Sequence, residues 1–82
     1  MAEINTSLLD AETGNRICIS RIEIQGVMRR RLLDLGFVPG NVVEVLQRSP
    51  LGDPIAFRVC NTTIALRREE SSLIWGERIG ES

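Results

Sequence analysis

The side chains in this chain that could do chemistry are few and poorly spaced for it. There is no histidine, and the two cysteines, Cys18 and Cys60, stand far apart with no CxxC pairing. Neither a Cys-His couple nor a compact zinc site can be assembled from them. Glu69 and Glu70 are adjacent, and on a helix neighbouring side chains diverge by about 100°, so they cannot face one substrate as acid and base. Asp34, Asp53, Glu69 and Glu70 could hold a divalent ion only weakly at the surface, because borderline metals select imidazole and thiolate. No glycine-rich phosphate loop and no serine or cysteine in a nucleophile context is present. The reading is a non-enzymatic protein with no catalytic residue, no metal ligand and no cofactor.

What remains is a set of surfaces. All ten basic residues are arginine, eleven acidic residues offset them, and the net charge is -1. That balance argues against a whole-surface polyanion binder, and the few aromatics offer little for base stacking, so nucleic acid is not expected as a partner. In "QGVMRRRLLDLG" the apolar residues Met28, Leu32 and Leu35 recur at helical spacing and define the buried side of a short helix. Arg30 then points outward while Arg29 and Arg31 lie on opposite flanks. Leu33 falls roughly 140° from the buried direction and is either partly exposed beside Arg29 or packed under the N-terminal "SLLDA".

The loop "SPLGDP" is a second candidate surface. Its prolines stiffen it, Gly52 permits a tight bend, and Leu51 stands near the tip, either as an exposed knob or folded back as a plug. Asp53 completes that stretch. The mixed run "LRREESS" suits a solvated helix start, with a polar rim to a docking face as the alternative. Arg29, Arg31, Leu33, Leu51, Gly52 and Asp53 are the candidate partner-binding residues.

The elements that must position these residues follow from periodicity. A turn at residues 12–15 leads to a strand over 16–24, then the helix, which Gly36 ends as a left-handed cap. "VPGN" fits a type II turn, residues 42–48 a second strand, and 55–60 a third, with Ile55, Phe57 and Val59 on one face. Asn61 and Thr62 are expected to turn the chain into a fourth strand over 63–67, with Ile64 and Leu66 inward. One helical turn precedes a last strand over 74–79. Cys18 and Cys60 are expected as buried reduced thiols.

The chain is 82 residues with a 43% apolar and 26% charged share, enough for one globular domain spanning 1–82. Residues 1–13 are expected to be loosely ordered and 80–82 to form a tail. No stretch reads as a signal peptide or a membrane span, so a cytoplasmic location is expected. About five short strands, one helix after the first and a helical turn before the last point to a mostly β fold. The expected form is a small, partly open, SH3-like antiparallel barrel, with an OB-like barrel as the alternative.

The ordered combination of the "RLLDLGFVPG" helix-turn, the "SPLGDPI" loop running into a strand, and "IALRREE" near the end resembles the FeoA family of bacterial ferrous iron transport. More distantly, it is similar to the SH3-like C-terminal domain of metal-dependent repressors. The FeoA resemblance implies a cytosolic regulator that docks on the cytoplasmic GTPase-bearing portion of the ferrous iron transporter. It would meet the membrane only through that partner, and homodimerisation is left open. The alternatives are a relative of the repressor domain that binds another regulator, or a nucleic-acid-binding small barrel. No helix-turn-helix precedes the barrel in this sequence, so the chain is not expected to be a repressor itself.

Overall fold

The structure is a computed structural model that describes residues 5–79. In chain order the elements are β1 (Asn5–Ser7), β2 (Arg16–Ile22), α1 (Gly26–Leu35), β3 (Val42–Arg48), β4 (Ile55–Val59), β5 (Thr62–Leu66), α2 (Arg68–Ser71) and β6 (Ile74–Ile79). The six strands form one antiparallel sheet in the order β1-β6-β2-β3-β4-β5, with β1 and β5 at its open edges.

Two bulges bend that sheet. Along β2 and β6, Ile19 lies opposite Gly76 and Arg21 opposite Trp75, leaving Ser20 as the extra residue. The Ser20 hydroxyl donates to the Trp75 carbonyl at 3.2 Å. An inserted residue flips the facing of everything after it, which is why Ile17, Ile19 and Ile22 are all buried although their spacing changes midway. In β3, Leu46 is skipped in the same way between Val45 opposite Phe57 and Gln47 opposite Ala56. Each bulge increases the local twist, so the sheet curls around its contents.

The enclosed core is built from Phe37, Phe57, Leu32, Ile55, Ile74, Val43, Val45 and Val59, all 0–1% exposed, together with Ile17 and Ile19. Full burial of a side chain of this kind stabilises by about 1.5–3 kcal/mol. Gly76 lets β6 approach β2 closely, since a Cβ there would run into the Cys18 carbonyl and the Ile17 side chain.

Helix α1 ends as its sequence predicts. Gly36 takes φ 110°, its N–H donates to the Leu33 carbonyl at 3.1 Å, and the Phe37 N–H donates to the Leu32 carbonyl at 2.9 Å. This paired arrangement satisfies carbonyls that would otherwise be orphaned and drops Phe37 into the core. The Pro39-Gly40 turn closes with the Asn41 N–H on the Val38 carbonyl at 3.0 Å.

Three expectations are corrected. Within residues 1–13, β1 pairs with β6, and Leu8 and Ala11 are buried at 0% and 2%. That segment completes a sheet edge and the core, while residues 1–4, like the expected tail at 80–82, lie outside the described residues. The β4–β5 turn is made by Cys60 and Asn61, at φ 53° and 63°, one residue earlier than expected. Two consecutive positive φ values mark the mirror-image turn whose twist matches that of a hairpin. Cys60 is consequently exposed at the turn, and Cys18 is half-buried; both are free thiols.

Candidate docking site

Helix α2 contributes side chains to two surface grooves. Its capping residue is Arg67, which has no acceptor on its side chain, so acceptors must come from elsewhere. Glu70 Oε1 accepts the Arg67 N–H at 2.9 Å, and Asp53 Oδ1, reaching in from the β3–β4 loop, accepts the Arg68 N–H at 3.1 Å. Both carboxylates also sit where a helix N-terminus favours negative charge.

A groove lies on each side of α2. One, of about 380 Å³, is bounded by Leu9, Asp53, Arg68, Glu69 and Ser72. The other, of about 280 Å³, runs between α1 and β5: the half-buried Met28, Leu35 and Ile64 contribute its apolar wall, with the buried Leu32 and Leu66 behind them, and Arg31, Arg67 and Glu70 stand with them. Glu69 and Glu70 thus line different grooves, as their divergence on a helix requires.

The sequence-selected residues fall into distinct places. Arg31 is exposed in the α1–β5 groove, whereas Arg29 is half-buried and its Nη1 donates to the Ile22 carbonyl at 2.9 Å, tying α1 to the end of β2. Leu33 is half-buried and packs against the core, because the buried stripe of α1 is wider than the three-residue seam predicted. Leu51 is 91% exposed, so of its two readings the knob holds. The knob stands on a tightly bonded loop: the Gly52 N–H donates to the Ser49 carbonyl at 2.8 Å. The Ser49 hydroxyl accepts the Asp53 N–H at 2.9 Å and donates to the Asp53 carbonyl at 2.8 Å.

Arg31 and Asp53 are therefore not in one patch; they lie in separate grooves on either side of α2. Sequence reasoning missed Ile64 and Ala65 as groove residues, and Val27, which is 85% exposed in the first turn of α1; Arg67 falls in the groove within the run whose alternative reading was a polar rim. The available signal for β5 was its composition, "TTIAL", which has neither a charge nor a proline. Among the described residues no three His, Cys, Asp or Glu side chains converge on a point that could hold a metal ion.

A bent six-stranded antiparallel sheet around a single core, with one short helix inserted after β2 and a helical turn before β6, defines a small SH3-like domain. The FeoA domain model matches residues 6–78, and the chain belongs to the FeoA family. Over 75 residues, 92% of this chain, it is 39% identical to the Fe(2+) transport protein A/Fe(2+) transporter FeoB fusion protein of Porphyromonas gingivalis, spanning only 9% of that protein's length. The FeoA protein of Chlorobium tepidum superposes with a TM-score of 0.85 at 32% identity, over 94% of this chain and 74% of that one. FeoA of Stenotrophomonas maltophilia, a prokaryotic SH3 domain protein complexed with zinc, superposes with a TM-score of 0.74 at 26% identity, over 84% and 86% of the two chains. A manganese-dependent transcriptional repressor shares the fold, with a TM-score of 0.83 at 19% identity over 96% of this chain and 44% of the repressor. No helix among the described residues is long and apolar enough to cross a membrane.

Proposed function

We propose that this chain is a non-enzymatic accessory of ferrous iron transport that works on the cytoplasmic side of the membrane by docking on the GTPase-bearing portion of the transporter. The observation that carries this reading is the fusion in Porphyromonas gingivalis, where a segment 39% identical to this chain shares a polypeptide with the transporter FeoB. Joining two modules raises the effective concentration of one for the other to about millimolar for a short flexible linker, which is useful when the modules associate. No chemistry is required of the module. A contact that differs between two states of the transporter is enough to shift their populations. Of the six contact residues selected from sequence, Arg31, Leu51 and Asp53 are the exposed ones.

Equilibrium binding tests the reading. The fluorescently labelled protein is titrated with the purified GTPase-bearing portion, without nucleotide and with GDP or a non-hydrolysable GTP analogue, at two salt concentrations. Saturable binding is expected. A flat anisotropy up to high partner concentration, with the labelled protein shown folded, contradicts docking on that portion and directs the search to the membrane part.

A further inference from the structure

The α1–β5 groove has features of a particular kind of binding site. It touches Ile64, Ala65 and Leu66 in succession. Successive strand side chains point to opposite faces, and a groove running along the edge of the strand reaches all three. Among the described residues β5 ends the sheet and pairs only with β4. Its register fixes which backbone groups are free. The two-residue turn makes Val59 and Thr62 a hydrogen-bonded pair, and hydrogen-bonded and non-bonded pairs alternate from there. The N–H and C=O groups of Thr63 and Ala65 therefore face outward.

Edge strands are ordinarily guarded by lysine, proline, a bulge or an inward charge. β5 carries none of these: its sequence is "TTIAL" and its pairing with β4 runs without a register shift. Beside it, Met28, Leu35 and Ile64 are only half-buried, leaving apolar surface along the groove.

The charges at the groove choose the occupant. Arg31 and Arg67 are both exposed, and the only ion pair among the described residues joins Arg21 to Glu23 elsewhere. The one carboxylate in the groove, Glu70, is engaged by the Arg67 backbone N–H. A second copy of the chain supplies no carboxylate here: in an antiparallel β5–β5 pairing centred on Ile64, Arg67 meets Asn61 of the other copy, and "TTIAL" is uncharged. We propose that this groove receives an extended acidic segment of a partner protein, which adds to the open edge of β5 as a further strand, seats alternate apolar side chains against α1, and pairs its carboxylates with Arg31 and Arg67. Strand addition between an edge strand and a helix is a general mode of peptide recognition, in which main-chain bonds give affinity and side-chain pockets give selectivity. The inference rests on the docking reading for the identity of the partner and not for the chemistry of the groove.

The test uses two synthetic heptapeptides, one alternating valine with glutamate and one alternating valine with lysine, titrated to millimolar concentration into the ¹⁵N-labelled full chain. The expected result is chemical-shift change along Thr63 to Arg67 and Met28 to Leu35 with the glutamate peptide and little with the lysine peptide. The order should reverse in the Arg31→Glu/Arg67→Glu variant, whose fold is checked by its amide spectrum; the single Arg31→Glu variant serves if the double one unfolds. Ala65→Pro, which removes an outward N–H and no ladder bond, should weaken the glutamate peptide at least 10-fold. The proposal is overturned by no shift with the glutamate peptide, by equal response to both peptides, or by concentration-dependent shifts at β5 without peptide, which would mark a second copy as the occupant. Should the transporter's GTPase-bearing portion bind while the glutamate peptide leaves β5 unshifted, the docking reading stands and this inference falls. Should the glutamate peptide bind while that portion does not, the reverse holds.

Discussion

Asp53 Oδ1 accepts the backbone N–H of Arg68 at 3.1 Å, so a side chain from the β3–β4 loop caps a helix 15 residues further along the chain. The contact fixes α2 against the loop that carries Leu51, and it supplies an acceptor that the Arg67 side chain lacks. The two surface features selected from sequence, the loop and the "RREE" run, are thereby one mechanical unit.

Removing that cap has a defined cost. Asp53→Ala should destabilise the fold by about 1 kcal/mol, which for a domain of this size lowers Tm by about 4–8 °C. Asp53→Asn keeps an acceptor at Oδ1 and should recover most of the loss. Thermal melts of the three proteins followed by circular dichroism decide the matter, and equal melting of the alanine variant and the parent would remove the capping account.

Gly36 carries two separable constraints, a φ of 110° and a Cβ position only 2.8 Å from the Cys60 Sγ. Gly36→Ala should cost about 1–3 kcal/mol through backbone strain alone, with the clash added. Cys60→Ala, at an exposed turn, should by itself cost under about 0.5 kcal/mol. Combining them should relieve the steric part only, leaving a favourable coupling of about 0.5–1.5 kcal/mol in a urea-unfolding double-mutant cycle.

The two thiols differ in access, Cys60 being exposed and Cys18 half-buried within the sheet. An aromatic disulfide reagent should therefore modify native protein in a fast and a slow phase. Cys60→Ser should abolish the fast phase and leave the slow one unchanged. Equal rates for both thiols would contradict the placement of the turn.

Leu51 and Leu32 make the opposite prediction for the same substitution. Leu51 is 91% exposed and Leu32 is 0% exposed. Leu51→Ala should change unfolding stability by less than about 0.5 kcal/mol, whereas Leu32→Ala should cost about 2–5 kcal/mol. If Leu51 is a contact knob, its variant should instead weaken transporter binding, measured in the same anisotropy titration as the parent.

The sequence showed most where local chemistry decides the structure. The Gly36 cap, the Pro39-Gly40 turn, the bounds of β3 and β6 and the inward facing of Ile55, Phe57 and Val59 all follow from residue type and period. The bulges at Ser20 and Leu46 were not legible, because one extra residue leaves no compositional mark, although the spacing of Ile17, Ile19 and Ile22 records the first in retrospect. β1 escaped for a related reason. "NTS" has no apolar alternation, and its strand state is conferred by the edge that β6 offers. The groove is less local still: it brings Arg31 of α1 to Arg67 at the start of α2, and only the order of strands in the sheet makes them neighbours. Arg29 shows the converse, since a flanking arginine that reads as available is held by the Ile22 carbonyl.

The most direct test of the account is a shift map of the ¹⁵N-labelled chain with the purified GTPase-bearing portion of the ferrous iron transporter. It predicts saturable, local changes confined to the exposed edge of β5, the adjoining face of α1 and the loop around Leu51. An unchanged spectrum at saturating partner, with the label shown folded, would contradict docking on that portion.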